Sequence, residues 1–159
     1  MKVRIAGIIP DSLTNGIGIR TVIFAQGCKH HCKDCHNPHT WDFKDGYEME
    51  IDELYEIVKN NKLIKGVTLS GGDPFEQEDS FYVLCRRLKR LGLDIWCYTG
   101  YTFEKIKDSK LIGAIDVLVD GKFEINNTFN AKKFTGSANQ RIIDVKKSVE
   151  SRKIIEVGV

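Results

Sequence analysis

The sequence has no apolar run long enough to cross a bilayer, which takes about 20 residues. Its longest apolar stretch, residues 111–119, is interrupted by Asp116. The start, Met1-Lys2-Val3-Arg4-Ile5, lacks the long apolar segment of a secretory signal, so a cytoplasmic location without membrane attachment is expected. Neither sign of charge dominates, with 24 Lys and Arg against 22 Asp and Glu. The nearest thing to a basic stripe, Arg86-Arg87 with Lys89-Arg90, reads as the solvated face of one helix, so no nucleic-acid partner is expected. Internal repeats, low-complexity tracts and linkers are absent. A closed eight-stranded β/α barrel takes about 250 residues, and 159 are too few for one. The length suits a single domain over residues 1–159, and 42% apolar residues suffice for a core.

Cysteine is what the sequence does have. There are five, an odd number with no export signal, which argues against a disulfide framework. Cys28, Cys32 and Cys35 fall within eight residues, and all four histidines (His30, His31, His36 and His39) lie within it or just after it. Soft thiolates this close together point to zinc or an iron–sulfur cluster. A zinc site needs a fourth ligand, which His36 or His39 can supply. A [4Fe–4S] cubane normally takes four cysteines; three leave one iron open for chemistry. Cys85 and Cys97 read instead as small core residues, one on the apolar side of a helix and one inside a strand.

Periodicity predicts strands at residues 3–9, 20–25, 67–70, 93–98, 115–119, 141–145 and 153–157. It predicts helices over residues 53–59, capped by Asp52, over residues 76–91, with Gly92 as the C′ residue, and a short one from Thr102. Alternating strands and helices imply an α/β fold with a parallel sheet, whose chemistry sits at the carboxyl ends of the strands. Four segments occupy that position: residues 27–41, 71–74, 98–101 and 120–122.

The spacing Cys28-x3-Cys32-x2-Cys35 after a strand, followed by a strand ending in Gly71-Gly72-Asp73-Pro74, resembles the radical S-adenosylmethionine superfamily. Asn15-Gly16-Ile17-Gly18-Ile19-Arg20, Cys35-His36-Asn37 and Thr40-Trp41 are similar to activases of glycyl-radical enzymes. Tyr98-Thr99-Gly100-Tyr101, the stretch from Val117 to Phe123 and Gly136-Ser137-Ala138-Asn139-Gln140-Arg141 resemble the branch that acts on anaerobic ribonucleoside-triphosphate reductase. The resemblance runs from about Ser12 to Val145. Asp34 stands where many superfamily members carry an aromatic residue, and Asn15 where pyruvate formate-lyase activases carry an acid.

The resemblance implies an incomplete, open parallel β/α barrel of about five to six strands. It implies that Cys28, Cys32 and Cys35 hold a [4Fe–4S] cluster whose open iron is chelated by S-adenosylmethionine. Asp34, Cys35, His36, Gly71, Gly72, Asp73, Asp120 and Lys122 are the implied cofactor contacts, and Trp41 an anchor for the loop. The implied reaction is reductive cleavage of the sulfonium, giving a 5′-deoxyadenosyl radical that takes hydrogen from a glycine near the reductase C-terminus. Flavodoxin or ferredoxin is the implied electron donor. The alternatives are activation of another glycyl-radical enzyme, such as pyruvate formate-lyase, a small radical enzyme acting on a free metabolite, or a zinc-stabilised Cys3His binding module. An unclosed barrel side also suits a macromolecular substrate.

Overall fold

The computed structural model describes residues 1–159. Seven strands form one sheet: β1 (Lys2–Ser12), β2 (Arg20–Ala25), β3 (Tyr47–Glu50), β4 (Gly66–Gly71), β5 (Asp94–Tyr98), β6 (Val117–Asp120) and β7 (Arg141–Asp144). Their spatial order is β3-β1-β2-β4-β5-β6-β7. The centre, β2-β4-β5-β6, is parallel. The expectation of about five to six parallel strands in an incomplete β/α barrel is thereby corrected in number and direction. β1 runs antiparallel to β2, β3 to β1, and β7 to β6. Since β3 and β7 end the order unpaired with each other, the sheet is open.

The helices are α1 (Ile51–Asn60), α2 (Glu78–Lys89), α3 (Phe103–Ile106) and α4 (Val145–Ser151). Asp52 is not the cap of α1: Glu50 holds that position in extended backbone, and Asp52 stands in the first turn, where a carboxylate favours the helix dipole. The helix expected over residues 76–91 divides into a 3-10 turn, Pro74–Gln77, and α2. Gly92 ends it at φ +82° as expected. Residues 153–157 do not form a strand. They contribute one bridge, Ile143 with Glu156, beside α4, which the strand reading missed.

Strand alternation separates two faces. Ile23, Val67, Leu69, Ile95, Cys97, Leu118 and Ile143 join a single cluster of 24 buried residues. The apolar sides of α1 and α2, with Phe103, Leu111 and Val145, belong to that same cluster. Every helix therefore packs on one face. Cys85 and Cys97 are 0% exposed within this core, as expected of small hydrophobes. The opposite face carries Thr68 and a small cluster of Trp96, Val119 and Ile142, with Tyr98 and Phe134 against it. No helix is long and apolar enough to cross a membrane.

Candidate functional site

The four segments singled out in the sequence do meet at one edge. A cavity of about 350 Å³ opens at the carboxyl ends of β2, β4, β5 and β6. Cys28, Cys32, Cys35, His36, Trp41, Gly71 and Gly72 all line it. The cysteine loop is a direct continuation of β2. Its start is pinned by backbone bonds, Gly27 N–H to the Thr40 carbonyl at 2.7 Å and Cys28 N–H to the Trp41 carbonyl at 3.1 Å. His31 and Asp34 adopt φ of +49° and +56°, left-handed turns that let eight residues double back. Trp41 stacks on His31 with ring centroids 4.6 Å apart, which suits the anchoring role expected of it.

The loop directs amide donors at its own sulfurs. The His30 and His31 N–H groups point at Cys28, and Asn37 N–H lies 3.4 Å from Cys35 Sγ. Such donors stabilise thiolate charge and tune a cluster. Without a metal, burial pushes the Cys28 thiol up to about 11, so metal binding there would release a proton. The Trp41 indole N–H is buried with no acceptor in the protein. No three His, Cys, Asp or Glu side chains stand close enough together to hold a single metal ion. A cubane attaches each thiolate to a different iron, so its ligands need not converge on one point. The donor set thus fits a cluster bound by three thiolates.

The glycine turn needs its glycines. Gly71 has φ +92°, and a Cβ there would stand 2.6 Å from the Ala25 backbone. A Cβ on Gly72 would stand 2.4 Å from the Gly27 carbonyl. The ends of β4 and β2 approach too closely for any side chain. Asp73 is 1% exposed beneath this turn, with its carboxylate bonded to His30, Phe75, Thr99 and Gly100.

The other expected contacts lie elsewhere. Asp34 is exposed and does not line the cavity. Asp120 and Lys122 face a second cavity of about 840 Å³ that adjoins the first through His30, Gly100 and Gly121. Asp120 is buried; its carboxylate accepts from Phe103 N–H at 2.8 Å and from Arg141 at 2.6 and 3.1 Å. Arg141 also pairs with Glu104, which holds the Glu104 carboxyl below its usual range. Sequence reading placed His30, Thr99 and Gly100 in segments at the strand ends, and Phe123 and Gln140 in motifs, without giving them a role in the cavity, and did not single out Phe134. The Thr-Gly turn after a strand was visible; a contact between residues 30 and 73 was not.

The 4Fe-4S single cluster domain family matches residues 14–143 of the chain. The site is thus that of an iron–sulfur protein of the single-cluster class. The chain is 37% identical over 141 residues to the anaerobic ribonucleoside-triphosphate reductase-activating protein of Enterobacteria phage T4, covering 85% of this chain and 90% of that one. It is 40% identical over 144 residues to the protein of the same name from Vibrio cholerae, covering 84% and 92%. The chain belongs to the family of anaerobic ribonucleoside-triphosphate reductase-activating proteins. In fold it is similar to the crystal structure of QueE from Escherichia coli, at a TM-score of 0.52 and 18% identity over 64% of this chain and 54% of that one.

Proposed function

We propose that the protein is a radical S-adenosylmethionine oxidoreductase that generates a glycyl radical on anaerobic ribonucleoside-triphosphate reductase. The observation that carries this reading is the convergence of Cys28, Cys32 and Cys35 with the side-chain-free Gly71-Gly72 turn on one cavity. When bound, a [4Fe–4S] cluster with S-adenosylmethionine supplies the one-electron chemistry that removes hydrogen from a glycine Cα. The chain's own residues do the rest. The three cysteines hold the cluster, and the Asn37, His30 and His31 amides support their charge. Ser70, Gly71 and Gly72 leave backbone groups open to the methionine end of the cofactor. His36 and Phe123, with ring centroids 4.8 Å apart, flank the mouth and limit water.

The sheet is read as an open, incomplete barrel. Its helices lie on one face only and its edges stay unpaired, an arrangement that leaves the cavity accessible to a loop of another protein. Residues 1–159 act on this reading as one cytoplasmic domain, reduced by a flavodoxin or ferredoxin. The second cavity, which Asp120 and Lys122 line, widens the same mouth.

Iron and acid-labile sulfide analysis of anaerobically purified protein tests the site, with about four irons per chain expected. Reduced protein, S-adenosylmethionine and the reductase should then give a glycine-centred doublet in electron paramagnetic resonance. Stoichiometric zinc without sulfide, or cofactor cleavage with no radical on the reductase, would overturn the reading.

A further inference from the structure

Among the four histidines, His30 alone is drawn inside. Its side chain is 7% exposed, whereas His31, His36 and His39 are exposed. Its Nε2 lies 2.7 Å from Asp73 Oδ2. The Asp73 carboxylate also accepts from Phe75 N–H at 3.0 Å on Oδ1, from Gly100 N–H at 3.0 Å on Oδ2, and from the Thr99 hydroxyl, which lies 3.0 and 2.9 Å from the two oxygens. Two carboxylate oxygens offer about four acceptor sites, and these donors fill them. In the tautomer with its proton on Nε2, His30 donates one of these bonds.

The preceding residue is tied down in the same way. Lys29 Nζ lies 3.3 Å from Glu76 Oε2, and the Tyr101 hydroxyl donates to the other oxygen of Glu76. Asp73 and Glu76 are three residues apart around one 3-10 turn. Residues so spaced eclipse one another, so both acids face the segment between Cys28 and Cys32. The loop after β5 closes the third side. The Tyr101 ring meets His30 edge-on at 4.5 Å, and a Cβ on Gly100 would stand 2.5 Å from the His30 ring. Three segments distant in sequence are thus fastened through one imidazole.

We propose that His30 is a positioning residue: its bond to Asp73 sets the distance between the cysteine loop and the Gly71-Gly72 turn. It thereby governs affinity for S-adenosylmethionine and not the uptake of iron. Asp73, with its acceptor sites filled, orients this clamp and does not itself contact the cofactor. The proposal rests on the site reading given above.

The test compares wild type with His30→Ala, His30→Gln and Gly100→Ala after anaerobic reconstitution. Gln keeps an N–H donor for Asp73, while Gly100→Ala displaces the ring without changing a charge. Iron and sulfide content, the dissociation constant for labelled S-adenosylmethionine, and the imidazole N–H resonance of iron-free protein are measured. All variants are expected to keep the wild-type iron content. His30→Ala and Gly100→Ala should bind S-adenosylmethionine roughly tenfold to a hundredfold more weakly, the usual cost of losing a residue that orients a metal site. His30→Gln should recover most of that loss. A shielded Nε2–H resonance should be present in wild type and shifted in Gly100→Ala. Wild-type affinity in His30→Ala, loss of iron from it, or no recovery in His30→Gln would each overturn the positioning role alone. Wild type that takes up neither iron nor S-adenosylmethionine would overturn the site reading and the positioning role with it.

Discussion

At the amino ends of the parallel strands Arg20 is fully buried, and every group it meets belongs to the scaffold. It donates to the Thr68 hydroxyl at 2.8 Å and to the carbonyls of Ile17 and Val67 at 2.9 Å, and pairs with Asp94 at 2.6 Å. Thr68 in turn donates to the Asn15 carbonyl at 2.7 Å. At the carboxyl ends His30 and Asp73 form a pair of the same kind, yet they border a cavity and sit among glycines that admit no side chain. Both ends use a buried nitrogen donor and a carboxylate. One network welds β2, β4 and β5 to the loop ahead of β2. The other holds a loop and two turns around a space. The difference lies in what surrounds the pair: strand backbone already in register at one end, connecting loops and turns at the other.

Substitutions can break this contrast. The largest effect is expected at the cysteines. Cys28→Ala, Cys32→Ala and Cys35→Ala should each lose the cluster and abolish cofactor cleavage, read by iron analysis, while Cys85→Ala keeps both. Loss of iron from Cys85→Ala would refute the ligand assignment. At the opposite end, Arg20→Met should lower the free energy of unfolding by about 3–5 kcal/mol in urea titration, because it strands buried carbonyls and a carboxylate. The same variant should keep its iron when folded.

A smaller effect concerns the core between the two ends. Burial pushes the Cys85 thiol up to about 12 and Cys97 well above its usual value. In the unfolded chain these thiols ionise near pH 8.5. Their contribution to stability is therefore complete below that pH and is lost as pH rises toward the folded value. Iron-free protein should lose about 1.4 kcal/mol per pH unit per thiol above pH 9, and Cys85→Ala should reduce that slope by one thiol's share. The smallest effect belongs to Glu104→Gln. Glu104 is largely exposed, so losing its pair with Arg141 should cost under about 0.5 kcal/mol. Because its folded pKa is depressed, that contribution exists above about pH 4.3 and disappears as pH falls through the folded value. Parallel thermal melts of the two proteins at pH 7 and pH 3 would check it.

Much of this molecule follows from short-range pattern. The bounds of β2 are those read from Arg20 to Ala25, since Arg20 is followed by five β-branched or apolar residues that bury on both faces. The apolar stripe of α2 and the left-handed Gly92 were equally visible. The cysteine spacing and the Gly-Gly-Asp-Pro turn were legible as a site because each is compact along the chain. β3 was missed because Tyr47–Glu50 is a short edge strand with little apolar alternation. Its pairing with β1 supplies what its composition does not. α4 was missed because its first residue, Val145, continues the apolar run of β7 and reads as the end of that strand. Asp144 caps it by accepting from Lys147 N–H at 3.0 Å.

Strand direction was the other limit. Nothing local in Lys2–Ser12 or Arg141–Asp144 says whether the neighbouring strand runs with it or against it. That choice belongs to the connections and to the sheet as a whole. Local periodicity and residue spacing thus settled the central strands β2, β4, β5 and β6 and the helices α1 and α2, and which three thiols share a loop. Only the folded sheet brought His30 to Asp73, across 43 positions, and set Asp120 against Arg141 and Phe103 N–H rather than in the cysteine cavity. A hydrogen bond acts over about 3 Å, and the distance between such partners is set by strand register and turn geometry, which are properties of the whole sheet.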